Sequence, residues 1–325
     1  MTHALALAEH RNFARAAEAL HLSQPALTRS IQTFEEQMGT PLFIRARKGV
    51  ELTDAGQLML KRARAIVSQS QDLMREGMIL RKTKGTEIRV AAGPYAGHLI
   101  LAPTVARQLA AEPGLRFDLR IDHWVKVTQM LKERRMDLAI CESSELDDRE
   151  LEILPLRAHR AAIAVRPGHP LLSGGGPVDF KRIVKWQIAI TARLPPRILR
   201  PMFTYFTGSS FAPTVHCEDV GVIKTIVMDS DAVGFFPLAM IRHELEQGLL
   251  QVVNVEAPWL ETCFAVIWLK DRLLSESVRS FIREVQATDE ELAQAEEELS
   301  VRFSPRRRPA RNRASAHING TSITK

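Results

Sequence analysis

The chain has 325 residues, of which 45% are hydrophobic and 25% are charged, a composition typical of folded globular proteins and not of fibrous or disordered ones. This length is too great for a single hydrophobic core and predicts two or more domains. No run of about 18 apolar residues and no basic-then-apolar leader is present, so we expect a cytoplasmic protein without a membrane span.

The formal net charge of +6 is unevenly distributed along the chain. Residues 1–84 carry 13 basic and 8 acidic side chains, residues 85–303 carry 25 and 30, and residues 304–325 carry 6 and none. A basic first segment beside an acidic middle segment favours a protein that meets DNA with one end.

Two short amphipathic helices and a tight turn are predicted near the N-terminus, after an opening helix. Apolar residues recur at helical spacing, first as Phe13, Ala16, Ala17 and Leu20, then as Leu27, Ile31, Phe34 and Met38. Ser23 is a good N-cap and Pro25 suits a first helical turn, so the second helix should begin near Gln24.

The polar face of that second helix has side chains suited to the edges of DNA bases. It carries Ser23, Gln24, Pro25, Thr28, Arg29 and Gln32. Glutamine pairs with adenine and arginine with guanine through two hydrogen bonds, while a threonine methyl or a proline ring packs on a thymine methyl. An ordinary solvated helix face is the alternative, but the turn before the helix and the basic segment after it favour DNA recognition.

A basic β-hairpin is predicted next, with strands at residues 42–44 and 50–52. Its turn carries Arg45, Arg47 and Lys48, which we expect to contact the phosphate backbone and position the protein without reading sequence. A solvated basic turn is the alternative.

A long helix is predicted from its N-cap Thr53 to about residue 82. Small or apolar residues recur along it at alternating steps of four and three: Met59, Ala63, Ile66, Ser70, Leu73, Gly77 and Leu80. This seam predicts pairing of two chains, which places two recognition helices on half-sites about 34–36 Å apart in an inverted repeat. The alternative is a helix that packs only on its own domain.

Alternating strands and helices, typical of α/β domains with parallel strands, are predicted in two similar lobes. The expected strands are 88–92, 117–121, 138–141, 153–156, 161–165, 187–191, 215–217, 233–236 and 264–269. The expected helices are 99–111, 125–135, 180–184, 198–206, 220–229, 238–247 and 275–287, with an acid-rich helix candidate at 289–303.

Ligands of open parallel sheets bind beyond the carboxyl ends of the strands. The residues predicted there are Gly93, Pro94, Tyr95, Trp124, Ser143, Thr191, Arg193, His216 and Val220. Arg193 is the candidate for holding an anion, and Tyr95 and Trp124 for enclosing a ring or chain, so an aromatic or carboxylated metabolite is expected. The alternatives are a surface salt bridge for Arg193, an edge histidine for His216 and core packing for the two aromatic residues.

Neither redox nor enzymatic chemistry is predicted. Cys141, Cys217 and Cys263 match no metal or disulfide spacing, and Glu142 and Glu218 would raise the pKa of the neighbouring thiols, which disfavours a thiol redox sensor. No phosphate-binding glycine loop, nucleophile elbow or histidine-rich metal spacing occurs, so we expect no metal, cofactor or catalytic residue.

The string AEALHLSQPALTRSIQTFEEQMGTPLFIR, followed by LTDAG, resembles the winged helix-turn-helix of LysR-type transcriptional regulators. The match is specific over about the first 80 residues, and the layout is similar to about residue 287. It implies a bacterial regulator with a winged helix-turn-helix, a linker helix and a C-terminal α/β two-lobed effector domain, similar to type 2 periplasmic binding proteins. The implied domains are 1–53 for DNA binding, 54–84 for dimerisation, 85–303 for effector binding (lobe I about 85–158 and 266–303, lobe II about 159–265) and a basic disordered tail, 304–325.

The resemblance also implies the partners of the chain. They are double-stranded DNA bearing an inverted repeat, a small-molecule effector, further copies in a homodimer or homotetramer and, as a candidate, RNA polymerase; no membrane is implied. The family often has Ser or Thr after the first strand of the effector domain to hold a carboxylate, whereas Gly93, Pro94 and Tyr95 stand here. The alternatives are a small-molecule sensor that binds DNA without sequence preference and an α/β enzyme fused to a helical adaptor.

Overall fold

A computed structural model describes residues 1–46, 49–80, 87–144, 146–174, 176–191, 194, 196–203 and 212–303. The first 52 residues form three helices and a hairpin: α1 (Thr2–His10), α2 (Phe13–Ala19), α3 (Gln24–Met38), β1 (Phe43–Ala46) and β2 (Gly49–Leu52). The predicted helix-turn-helix and hairpin are confirmed. Among the described helices, none is long and apolar enough to cross a membrane.

Helix α3 begins where its N-cap Ser23 predicts, and it ends at Gly39. The Ser23 hydroxyl accepts a hydrogen bond from the backbone N–H of Ala26 at 3.4 Å, and Gly39 ends the helix with a left-handed φ of 68°. Leu27 and Ile31 are buried against α1 and α2. Met38, predicted on the same apolar face, is 39% exposed because the last turn of α3 extends beyond the helices that cover Leu27 and Ile31.

The long helix α4 (Asp54–Leu80) joins the two parts of the protein. It begins at the predicted cap, since the Thr53 hydroxyl accepts a hydrogen bond from the Gly56 N–H at 2.9 Å. Ala63 is buried in the N-terminal core, whereas Ile66 and Leu73 further along the predicted seam are 50% and 68% exposed in the single chain. Only the first part of the helix therefore packs on its own N-terminal domain.

The remaining residues form two α/β lobes. Lobe I contains β3 (Glu87–Ala92), α5 (Pro94–Ala96), a π-helical turn (Gly97–Leu101), α6 (Ala102–Ala111), β4 (Arg116–Ile121), α7 (Trp124–Lys132) and β5 (Leu138–Glu142). Lobe II contains α8 (Phe180–Ile183), β7 (Ile188–Ile190), α9 (Pro196–Phe203), β8 (Val215–His216), α10 (Val220–Asp229), β9 (Val233–Pro237), α11 (Arg242–Glu246) and β10 (Gln251–Val252). Short 3-10 turns occur at Pro170–Leu172 and Leu238–Ile241. Two strands, β6 (Leu151–Val165) and β11 (Glu261–Leu269), connect the lobes, and α12 (Glu276–Phe303) ends the described chain.

One mixed sheet runs through both lobes in the order β4-β3-β5-β11-β6-β9-β7-β8, with β10 paired to β6. The outer strands of each lobe are parallel, as predicted, but β5, β11, β6 and β9 pair antiparallel. The two strands predicted at residues 153–156 and 161–165 are one strand of 15 residues. Polar residues interrupt its apolar pattern because His159 lies where the strand passes from one lobe's core to the other.

The two predicted C-terminal helices are likewise a single helix of 28 residues, α12. It packs on lobe I, where the hydroxyls of Thr104 and Thr288 lie 3.0 Å apart, and its residue Leu299 is buried in the core of lobe II. Asp289, assigned from sequence to a separate acid-rich segment, is 2% exposed because it faces the strand beneath it. The helix therefore spans both lobes.

Candidate DNA interface and ligand cleft

The outer face of α3 brings together the residues predicted to read DNA bases. Ser23, Gln24, Pro25, Arg29 and Gln32 are exposed. Thr28 is half-buried, and its hydroxyl donates a hydrogen bond to the Gln24 carbonyl at 2.9 Å. These six residues lie opposite the buried stripe of the helix, so they form one polar surface that a base edge can approach.

The hairpin is fixed to α3 by a carboxylate that sequence reasoning missed. Glu35 Oε1 accepts hydrogen bonds from the backbone N–H groups of Leu42 and Phe43, at 2.7 and 3.0 Å. Arg45 lies on β1, but its side chain is outside the described residues, as are Arg47 and Lys48. The hairpin thus has a set position beside the recognition face, while the roles of its three cations stay predictions.

A cavity of about 60 Å³ lies between the two lobes. It is lined by Gly93, Pro94, Tyr95, Ala96, Trp124, Glu142, Ala161, Thr191, Leu194, Ile198, Phe235, Phe236, Pro237, Leu260, Thr262 and Phe264. Five of the predicted ligand residues are in this wall: Gly93, Pro94, Tyr95, Trp124 and Thr191. These residues lie close together because the carboxyl ends of strands from the two lobes face each other across the cleft.

Three of the other predicted ligand residues, Ser143, His216 and Val220, lie outside the cavity wall. The Ser143 hydroxyl is turned to the Cys263 carbonyl at 3.3 Å, and His216 is exposed on the edge strand, 3.7 Å from Glu218. Val220 is buried away from the cavity wall, and Arg193 is outside the described residues. His216 lies away from the wall because β8 is the outermost strand of its lobe.

Residues at the end of β9 were missed by the sequence analysis, although Phe235, Phe236 and Pro237 supply much of the lobe II wall. The strand itself was predicted, so its carboxyl end was the available signal. The Tyr95 hydroxyl donates a hydrogen bond of 2.7 Å to the Phe235 carbonyl and thereby links the lobes. Burial raises the pKa of Tyr95 to about 12, and the nearby Thr191 opposes the shift only in part, so the phenol stays protonated at neutral pH.

An ion pair crosses the cleft beside the cavity. Arg197 on α9 lies 3.4 Å from each carboxylate oxygen of Glu142 at the end of β5, and it also donates to the Ser144 hydroxyl at 3.0 Å and to the Glu261 carbonyl. Glu142 accepts a further hydrogen bond from the Cys263 N–H at 3.1 Å. The charges of both side chains are therefore largely satisfied by protein groups.

Two polar groups of the cavity wall, the indole N–H of Trp124 and the hydroxyl of Thr191, are buried without a hydrogen-bond partner among the described residues. The indole can only donate. Leaving a buried donor unpaired costs about 1–3 kcal/mol, so this N–H favours a ligand that offers an acceptor.

Cys141 and Cys263 do not have the properties of redox-active thiols. Cys141 is buried, and burial together with the charge of Glu142 raises its pKa. Burial also raises the pKa of Cys263, although Arg197 opposes the shift. A reactive thiol needs a lowered pKa. In the described part of the chain, no cluster of three or more His, Cys, Asp or Glu side chains is arranged to hold a metal ion.

A buried charged cluster lies where β6 crosses between the lobes. His159 is completely buried, with Nε2 at 2.8 Å from Asp289 and Nδ1 at 3.1 Å from Glu296, both on α12. Burial disfavours the charged imidazole, but the two carboxylates outweigh it and raise the pKa of His159 to about 9. The cluster ties the C-terminal helix to the crossing strand.

Comparison with known protein families yields two matches that together cover most of the chain. Residues 1–57 match the family described as bacterial regulatory helix-turn-helix protein, lysR family, and residues 81–290 match the LysR substrate binding domain.

Individual proteins of similar sequence or fold match along most of the chain. The SDS degradation transcriptional activation protein of a Pseudomonas species is 33% identical over 300 residues, covering 88% of this chain and 95% of that protein. The transcriptional regulator GbpR of Azospirillum brasilense is 24% identical over 88% of this chain and 84% of its own length. A full-length OxyR variant of Pseudomonas aeruginosa has a similar fold, with a TM-score of 0.63 at 17% identity over 90% of this chain and 95% of its own. The structure of CbnR in complex with its target DNA has a TM-score of 0.62 at 19% identity, and the match covers 88% of this chain and 98% of that chain.

Proposed function

The chain belongs to the LysR family of bacterial transcriptional regulators, and on that basis we propose that α3 reads an inverted-repeat operator under control of a ligand bound between the lobes. The reading of DNA by α3 is supported by its polar face, on which Gln24, Arg29 and Gln32 are exposed beside the half-buried Thr28. We assign no enzymatic reaction to the chain and place its action in the cytoplasm, where a bacterial regulator meets DNA.

The proposed control depends on the closed state of the lobes. The cavity of about 60 Å³ is smaller than the cavity of about 150 Å³ that holds benzene in an engineered protein. A larger ligand therefore needs the lobes to separate, which strains the Tyr95–Phe235 hydrogen bond and the Glu142–Arg197 ion pair. A ligand that binds the open and closed forms with different affinity shifts their populations and, through α4, the spacing of the DNA-binding domains.

The proposal is tested by selecting genomic fragments with the purified full chain near physiological salt and footprinting the strongest one. We expect a protected inverted repeat with half-sites about one helical turn apart. Binding that depends on salt but is indifferent to sequence would instead support the sensor alternative.

We predict that Arg29→Ala lowers the preference for the operator over mismatched sites by about 1–3 kcal/mol, because Arg29 is exposed on the base-reading face. Arg47→Ala serves as the comparison variant and should weaken binding nearly equally on all sequences, with a shallower dependence of affinity on salt. Fluorescence anisotropy on the operator and on single-base variants distinguishes the two effects. Identical losses of preference in both variants would contradict the assigned roles.

We predict that Leu73→Asp dissociates the dimer, since Leu73 lies on the heptad seam of α4 and is 68% exposed in the single chain. Sedimentation equilibrium should show a shift of at least tenfold in the dissociation constant. The control is Gln69→Asp, which adds the same charge to an exposed position of the same helix off the seam. A Leu73 variant that associates as tightly as the control would place the dimer contact elsewhere.

The Pseudomonas relative carries SDS degradation in its name, and SDS is an alkyl sulfate. The apolar cleft suits an alkyl chain, so we include alkyl compounds among the candidate effectors of this chain.

A further inference from the structure

The walls of the cavity favour an apolar ligand. Most of the lining is hydrocarbon, from Leu194, Ile198, Leu260 and the two phenylalanines at the end of β9. Apolar ligand surface that leaves water for such a pocket contributes about 25 cal/mol per Å². The ligand therefore gains its affinity mainly from alkyl or aryl groups.

The ion pair beside the cavity disfavours an anionic ligand. The guanidinium of Arg197 is engaged by Glu142, Ser144 and the Glu261 carbonyl. An anion that approaches Arg197 has to displace Glu142 or lie beside its negative charge. Burial of a charge without a partner is far more costly than burial of a neutral polar group.

In the described part of the wall, two unsatisfied polar groups are nevertheless available to a ligand, the Trp124 indole N–H and the Thr191 hydroxyl, and both can donate a hydrogen bond to an uncharged oxygen. The Trp124 indole nitrogen is a donor only, and it is buried without a partner among the described residues. The Tyr95 hydroxyl is already committed to the Phe235 carbonyl at 2.7 Å. A ligand oxygen that accepts from Trp124 removes the cost of the unpaired N–H without bringing a charge into the cavity.

We infer that the effector is an uncharged, predominantly apolar molecule with a hydroxyl or carbonyl oxygen that accepts a hydrogen bond from the Trp124 indole. This inference rests on the proposed function, because it specifies the ligand of the same interlobe cleft. The sequence predicted an aromatic or carboxylated ligand, whereas the cavity wall favours the neutral alcohol, aldehyde or ketone class over the carboxylated one.

The test compares neutral and anionic ligands of equal chain length by isothermal titration calorimetry on the full-length protein. The probes are 1-butanol and 1-octanol, the corresponding carboxylates butanoate and octanoate, and octyl sulfate. We expect saturable binding of an alcohol, at least tenfold tighter than that of the carboxylate of the same length. Trp124→Phe, which keeps a ring but removes the N–H, should weaken alcohol binding about five- to tenfold.

The control for the indole substitution is Trp186→Phe, because Trp186 packs against His169 in lobe II and does not line the cavity. Its alcohol affinity should equal that of the wild type. Equal effects of the two tryptophan substitutions, absence of alcohol binding, or tighter binding of octanoate or octyl sulfate would each overturn the inference. Anion binding that Arg193→Gln abolishes would identify Arg193 as the ligand's partner instead.

Failure of this inference is distinguishable from failure of the proposed function. The operator footprint is measured without ligand, so a protected inverted repeat supports the regulator whichever ligand binds. If an alcohol binds but changes neither the footprint nor the operator affinity, the cleft specificity stands and the proposed ligand control fails.

Discussion

Replacement of His159 by alanine is expected to lower the free energy of unfolding by about 3–5 kcal/mol, because it leaves two buried carboxylates without their cation. The imidazole lies 2.8 Å from Asp289 and 3.1 Å from Glu296, and all three side chains are at most 5% exposed. Urea denaturation of the full chain, followed by circular dichroism, measures the loss. His216→Ala is the matched control, since that histidine is exposed, and it should cost less than about 0.5 kcal/mol.

The same cluster predicts the dependence of stability on pH. The pKa of His159 is raised from 6.5 to about 9 in the folded protein. Its protonation therefore stabilises the folded state fully below about pH 6.5, and this contribution is lost as the pH rises toward 9. The difference in stability between wild type and His159→Ala should accordingly shrink between pH 6.5 and 9. A constant difference would mean that His159 is neutral in the folded protein.

Replacement of Asp137 by alanine is also expected to lower the free energy of unfolding by about 3–5 kcal/mol. Here the substitution removes a buried anion that lies between two cations, whereas His159 is a buried cation between two anions. The Asp137 carboxylate lies 2.9 Å from Arg89 and 2.5 Å from Arg272, and it accepts the Arg89 backbone N–H at 2.7 Å. The three side chains are at most 10% exposed, so two buried guanidinium groups lose their counterion. The measurement is thermal unfolding at neutral pH.

The control for Asp137 is Asp118→Ala. Asp118 lies 3.2 Å from Arg120 in a more exposed pair, with side chains 36% and 56% exposed. Exposed pairs contribute at most about 1 kcal/mol because water screens them. A loss at Asp137 no greater than at Asp118 would refute the assignment of this cluster as a major contributor to the stability of lobe I.

The α/β strands show how far local patterns extend. The strands β3, β4 and β9 were predicted within a residue or two. Strand β9 is a short apolar run, and β4 alternates apolar residues with charged ones, both of which are strand patterns that act locally. The crossing strand β6 was divided in two, since His159 and its polar neighbours interrupt the apolar pattern. Helix α12 was also divided in two, because Asp289 and Glu296 are acidic residues that the pattern assigns to a solvent-exposed segment. In the structure both are buried between the helix and β6.

The ligand cleft was only partly predictable. Gly93, Tyr95, Trp124 and Thr191 line the cavity because strand ends converge in any such sheet. The ion pair of Glu142 with Arg197 joins residues 55 positions apart and depends on how closely the lobes approach each other. No periodicity or motif specifies that approach.

Local sequence was sufficient to specify the helix-turn-helix and the polar face of α3, because caps and helical periodicity act between residues a few positions apart. Ser23 and Thr53 each mark a helix start in both the sequence and the structure. Long-range packing was needed to bring His159 to carboxylates 130 and 137 positions away, and to shield the Trp124 indole nitrogen from solvent. Those features arise from chain crossings between lobes, where contacts over long sequence separations determine which polar groups find partners and which remain for a ligand.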